Sequence, residues 1–182
     1  MDRSTIAVYE AQAAEWRDRR PARFQDRAER FAASVTPGGM RADLGCGAGL
    51  HLPVLGRPVV ALDAAFAMLE LARDAAPDAA LVQADLEALP LRRGSLAGGW
   101  ARASYLHVAR PELPAAFAEL HQALQVDAPI QLTMRHGDDD GLLAHDDFPG
   151  RFFAGWEPEA LRDVLLGAGF RIDDLGVDAE QP

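Results

Sequence analysis

The spacing of apolar positions changes near residue 40. Before that point it is helical. Ser4 or Thr5 is placed to cap a first helix, in which Ile6, Tyr9, Ala13 and Trp16 share one face. Pro21 suits the first turn of a second helix striped by Phe24, Ala28, Phe31 and Val35, and the TPGG at 36–39 breaks it. Beyond residue 40 short apolar runs alternate with helical stripes. MRADL (40–44) reads as a strand, followed by a glycine-rich loop and a short helix; PVVAL (58–62) reads as a buried strand, residues 65–75 as a helix, and AALVQA (79–84) as a third strand. SLAGGWARA (95–103) is a weaker fourth strand, 112–125 a helix with Leu113, Phe117, Leu120 and Leu124 inward, and PIQLTM (129–134) a fifth strand. Glu157-Pro158-Glu159 opens a last helix, lined by Leu161, Val164, Leu165 and Ala168 and ended by Gly167 and Gly169; FRIDDLGV (170–177) then predicts a sixth strand.

Alternation of this kind predicts an α/β fold, a doubly wound, mostly parallel sheet with helices on both faces. The length fits one domain spanning 1–182, with the N-terminal helices (4–35) as a cap. HGDDDGLLAHDDFPG (136–150) is the one long polar loop and reads as a mobile lid. The net charge of −10 disfavours non-specific nucleic-acid binding, because phosphates need neutralising cations. A single cysteine, Cys46, excludes an internal disulfide, and neither a signal peptide nor a membrane span is legible, so the expected location is cytoplasmic.

The chemistry concentrates in RADLGCGAGLHL (41–52), where Asp43, Gly45, Gly47 and Gly49 occupy alternate positions. In an open α/β sheet the loop after the first strand lies at the ligand-binding end. A dinucleotide loop would read G-x-G-x-x-G, but here the spacing is G-x-G-x-G with leucine at 50, and Asp43 would repel a pyrophosphate. An acid leading the glycines favours a ligand with a positive group, such as S-adenosylmethionine, whose ammonium would sit near Asp43. Asp63 ends the second strand, placed to accept both ribose hydroxyls; Asp85 ends the third, placed to accept from the adenine amino group with the Leu86 N–H on a ring nitrogen.

On these residues the chain resembles the class I S-adenosylmethionine-dependent methyltransferases, of the type-11 group, over nearly its whole length. DLGCGAG (43–49), VALDAAFAMLELAR (60–73), ADLEALPL (84–91) and WARASYLHV (100–108) carry the resemblance, with weaker support from VYEAQAAEW (8–16) and RFFAGWEPEALRDVLLGAGFRI (151–172). It implies a Rossmann-like sheet of six or seven strands, with S-adenosylmethionine as cofactor. It also implies that Tyr9 closes over the cofactor, that Cys46, Ala64 and Met68 join its pocket, that Arg102 and Ala103 face its methionine part, and that His107 faces the substrate as a base or contact. Three departures stand out: Val126-Asp127-Ala128-Pro129 replaces the family's Pro-Gly-Gly, Leu96-Ala97 replaces Phe-Asp, and no apolar run is left for a seventh strand. The polar ending is expected to lead to a further domain after residue 182.

The expected function is methyl transfer to an O, N or C nucleophile on a small molecule. A tRNA or other nucleic-acid acceptor is the alternative that the acidic charge opposes; a non-catalytic methyltransferase-like module is the other. His136, Asp138, Asp139, Asp140, His145, Asp146 and Asp147 have metal-ligating side chains, but their spacing matches no closed site, and no metal is expected. Phe152, Phe153 and Trp156 line a substrate pocket or anchor the last helix. Arg17, Arg19, Arg20, Arg23, Arg27 and Arg30, interleaved with Asp18, Asp26 and Glu29, read as a solvated face rather than a grip on an anionic substrate or RNA.

Overall fold

The structure is a computed structural model that describes residues 1–21, 23–143 and 145–178. Helices α1 (Arg3–Arg19) and α2 (Gln25–Ser34) precede strand β1 (Arg41–Leu44). The cap of α1 is Asp2 rather than Ser4 or Thr5: its carboxylate accepts the Thr5 N–H at 3.0 Å. Pro21 falls outside α2, and Phe24 stands at its N-terminal boundary with φ 61°. Next come α3 (Leu52–Leu55), β2 (Val59–Asp63), α4 (Phe66–Ala75), β3 (Ala80–Gln83), β4 (Gly98–Arg102), a single 3₁₀ turn at Tyr105–His107, α5 (Leu113–Ala123) and β5 (Ile130–Thr133).

Five of these strands form one parallel sheet in the order β3-β2-β1-β4-β5. Strand alternation sends Ala42, Leu44, Val60 and Leu62 into the cluster that holds Leu113, Phe117 and Leu120 of α5. The intervening residues Val59 and Ala61 pack with Leu69 and Ala72 of α4, while Trp100 packs with Phe31 of α2 and with Val35 just past its end. Both faces are covered, which is why the strands read as continuous apolar runs. The chain winds outward from β1 through β2 to β3, then returns to the other side of β1 with β4. The crevice between the carboxyl ends of β1 and β4 is therefore the switch point of the sheet, where ligands bind in such folds.

Two expectations are corrected. The main sheet has five strands, not six or seven, among the described residues. Residues 170–177 carry no strand: Phe170, Ile172 and Leu175 pack against the core, but Asp173 and Asp174 are exposed and no ladder forms with β5. The polar ending at 179–182 lies outside the described residues. The supposed lid, in turn, is partly built into a second, three-stranded sheet: β6 (Arg135–His136), β7 (Asp140–Leu142) and β8 (Phe152–Trp156), ordered β6-β8-β7. An Arg135–Asp139 ion pair at 2.8 Å closes the β6–β7 turn, and Gly155 N–H donates to Asp139 O at 2.7 Å. Helix α6 (Pro158–Gly167) follows.

Candidate functional site

The loop after β1 is held by backbone bonds: the Gly45 and Cys46 N–H groups both donate to Leu62 O, at 2.8 and 2.9 Å. Gly45 is required by close approach. With φ 75°, a Cβ there would lie 2.3 Å from the Ser104 Cβ just past β4. At Gly49 a Cβ would lie 2.9 Å from Ala72 Cα, so this glycine seats the loop on α4. Two of the glycines thus serve protein packing. The Trp16 ring of α1 lies 3.4 Å from where a Cβ on Gly47 would stand, so the N-terminal cap reaches over the loop.

Asp63, at the end of β2, braces the loop: Gly47 N–H donates to its Oδ2 at 2.8 Å and Ala65 N–H to its Oδ1 at 2.9 Å. Burial nonetheless lifts its carboxyl to about 6. Asp43, inside β1, is 3% exposed and its Oδ2 has no hydrogen-bond partner. Burial pushes this carboxyl up to about 8, and the charge of Asp63 adds to the rise. Across the switch point, Arg102 ends β4 half-buried, with its Nε also lacking a partner. An unmet acid and an unmet base thus face one crevice.

The cap reaches this crevice through a chain of bonds. His107 Nδ1 lies 2.6 Å from Phe152 O; a carbonyl accepts only, so Nδ1 carries the proton and Nε2 the lone pair. The Tyr9 hydroxyl, 2.9 Å from Nε2, must donate to it, and Arg151 donates to the same Tyr9 oxygen at 3.0 Å. Arg151 is 5% exposed and anchored on Asp146 and Asp147. Burial pushes the His107 imidazole down to about 4, so it is neutral.

The cavity over these groups has a volume of about 1730 Å³, against roughly 300–1,000 Å³ for an ordinary small-molecule pocket. Residues 42–130, from β1 to the start of β5, match the family model described as a methyltransferase domain. Over this stretch the chain is similar to methyltransferase domains. Solved structures share the methyltransferase fold. A Mesorhizobium loti S-adenosylmethionine-dependent methyltransferase superposes with a TM-score of 0.63 at 21% identity, over 81% of this chain and 83% of the other. One from Methanosarcina mazei gives 0.67 at 19% identity, over 78% and 84%. The DhpI complex with S-adenosylhomocysteine gives 0.66 at 21%, over 91% and 86%. No curated protein matches the chain.

The residues singled out from sequence mostly converge on this cavity. Tyr9, Asp43, Gly45, Cys46, Gly47 and Asp63 line the cavity, as do Met68, Leu86, Arg102, Ala103 and His107. Gly49, Ala64 and Asp85 lie outside that lining. Gly49 faces α4, and the Ala64 carbonyl accepts from Gln83 Nε2 at 3.0 Å. The Asp85 carboxylate takes the Met1 amino group at 2.8 and 2.9 Å and the Glu87 N–H at 2.9 Å. Cys46 packs with Leu52, Ala61 and Leu69, and burial holds its thiol well above the usual range. Met68 touches the cap in a cluster with Ala13 and Trp16.

Sequence reasoning missed Arg151, whose role depends on tertiary contacts with Tyr9 and Asp146 that no local pattern encodes. The arginine-rich segment is also not wholly a solvated face, because Arg20, Arg23 and Arg27 line the cavity. Among the described residues no group of three His, Cys, Asp or Glu side chains is placed to hold a metal ion, and no helix is long and apolar enough to cross a membrane.

Proposed function

We propose that the protein transfers a methyl group from S-adenosylmethionine to an O, N or C nucleophile of a small molecule. The observation that carries this reading is the pairing of two unmet groups across the switch point, the buried Asp43 carboxylate on β1 and the Arg102 guanidinium on β4. They suit the ammonium and the carboxylate of an amino-acid moiety. Asp63 keeps acceptor capacity for ribose hydroxyls beyond its two backbone bonds. Met68 and Leu86 supply apolar walls for the base. These residues therefore fit the cofactor. When bound, it supplies an activated methyl group on a cationic sulfur.

The protein's own task is to align the acceptor and exclude water. The cap of α1 does the second, with Trp16 over the loop. Arg151 and His107 do the first by fixing the Tyr9 hydroxyl from both sides. His107 is then a positioning residue rather than a free base: its lone pair is engaged by Tyr9 and its affinity for a proton is low. A small acceptor is favoured over a nucleic acid by the net charge of −10.

Asp63→Ala tests the cofactor assignment. We expect its affinity for S-adenosylhomocysteine, measured by calorimetric titration, to fall at least about tenfold, a loss of ~1.4 kcal/mol. An unchanged affinity would remove Asp63 from the ribose site.

A further inference from the structure

Resting on that reading, we propose that the methyl acceptor carries an anionic group, a carboxylate or a phosphate, and that Arg23, with Arg20, Arg27 and Arg102 around it, forms the subsite that takes it. The link between α1 and α2 is built to present these side chains. Phe24 adopts a left-handed conformation at φ 61°, uncommon for a residue with a side chain. Its ring receives the guanidinium of Arg27 and that of Arg102, each 4.8 Å from the ring centroid. The turn is pinned from behind: His51 Nε2 donates to the Arg23 carbonyl at 2.9 Å, and His51 is buried against Trp100. Arg20 reaches the same cavity, 5.9 Å over the Trp16 ring.

Two of these guanidiniums meet carboxylates and two do not, among the described residues. Arg20 is met by Asp147 at 2.9 Å and Arg27 by Asp178 at 2.6 Å. Neither Arg23 nor Arg102 meets a carboxylate among the described residues, and the Arg102 Nε is a buried N–H without an acceptor. Arg102 is held below its usual range by burial first, then by the charges of Arg23, Arg20 and Arg27. Arg23 and Arg102 thus line the cavity without an ion pair among the described residues. The cofactor's carboxylate answers one of them, at Arg102. The second calls for another anion on the cap side of the cavity. Guanidinium forks suit carboxylate and phosphate oxygens.

The test uses the full chain, first titrated with S-adenosylhomocysteine and then, saturated with it, titrated calorimetrically with benzoate and with inorganic phosphate. We expect at least one of the two to bind the loaded protein, Arg23→Gln to weaken that binding at least about fivefold, and Arg73→Gln, a surface arginine at the end of α4, to leave it unchanged. S-adenosylhomocysteine affinity should stay within about twofold in Arg23→Gln. Three outcomes would overturn the proposal: no binding of either anion, equal weakening by both variants, or competition between the anion and S-adenosylhomocysteine, which would give the cluster to the cofactor. Tighter binding of a short RNA oligonucleotide than of phosphate, with the same dependence on Arg23, would replace the small acceptor by a nucleic acid. If S-adenosylhomocysteine itself fails to bind, the cofactor reading falls, and the same anion titration on the unloaded protein still decides whether the cluster takes an anion.

Discussion

Asp43 shows most directly how one residue couples fold and function. Its carboxyl, raised by burial and by Asp63 to about 8, is largely protonated near neutral pH in the free protein. The folded chain therefore binds more protons here than the unfolded chain between about pH 4 and 8, and this residue's contribution to stability falls as pH rises through that window. Asp43→Asn should flatten that slope and raise the melting temperature at pH 8, readable by thermal denaturation across pH. A second prediction concerns Tyr9, whose hydroxyl bridges Arg151 and His107. Tyr9→Phe removes the donor to a buried imidazole and should cost about 1–2 kcal/mol in denaturant unfolding. A loss well below that range would mean that water replaces the hydroxyl without strain.

At the scale of elements, the glycine loop links β1, α4 and the end of β4. Gly45→Ala meets Ser104 and a positive φ together, and should destabilise the protein by about 2–4 kcal/mol, measured by chemical denaturation. A neutral effect would mean that the loop can move off β4. Much of the element order was legible because both faces of the sheet are covered. PVVAL reads as a buried strand for the same reason that Val59 and Ala61 pack on α4 while Val60 and Leu62 pack on the other face. The misreadings share a cause as well. FRIDDLGV has the apolar spacing of a strand, but a strand needs a ladder partner, and local spacing carries no information about one. The two- and three-residue strands β6 and β7 were hidden in a polar stretch because their stability comes from β8 and from Arg135 rather than from their own side chains.

At the scale of the whole molecule, the reversal of strand order beside β1 gathers the site. It brings the glycine loop, Asp63 and the end of β4 to one crevice, and α1 and β8 close over it. The acids and glycines of that crevice were legible because their spacing follows the strand ends. The arginine cluster was not, because only the folded link between α1 and α2 sets Phe24 against Arg102 and brings Arg23 to the rim of the same cavity. The central claim is that a cationic amino-acid nucleoside lies in the crevice between β1 and β4 with its ammonium on Asp43. It is tested most directly by calorimetric titration with S-adenosylhomocysteine at pH 7, in two buffers of different ionisation enthalpy. The account predicts micromolar binding accompanied by release of close to one proton, with that release abolished in Asp43→Asn. Absence of binding by well-folded protein, or binding whose proton release survives Asp43→Asn, would contradict it.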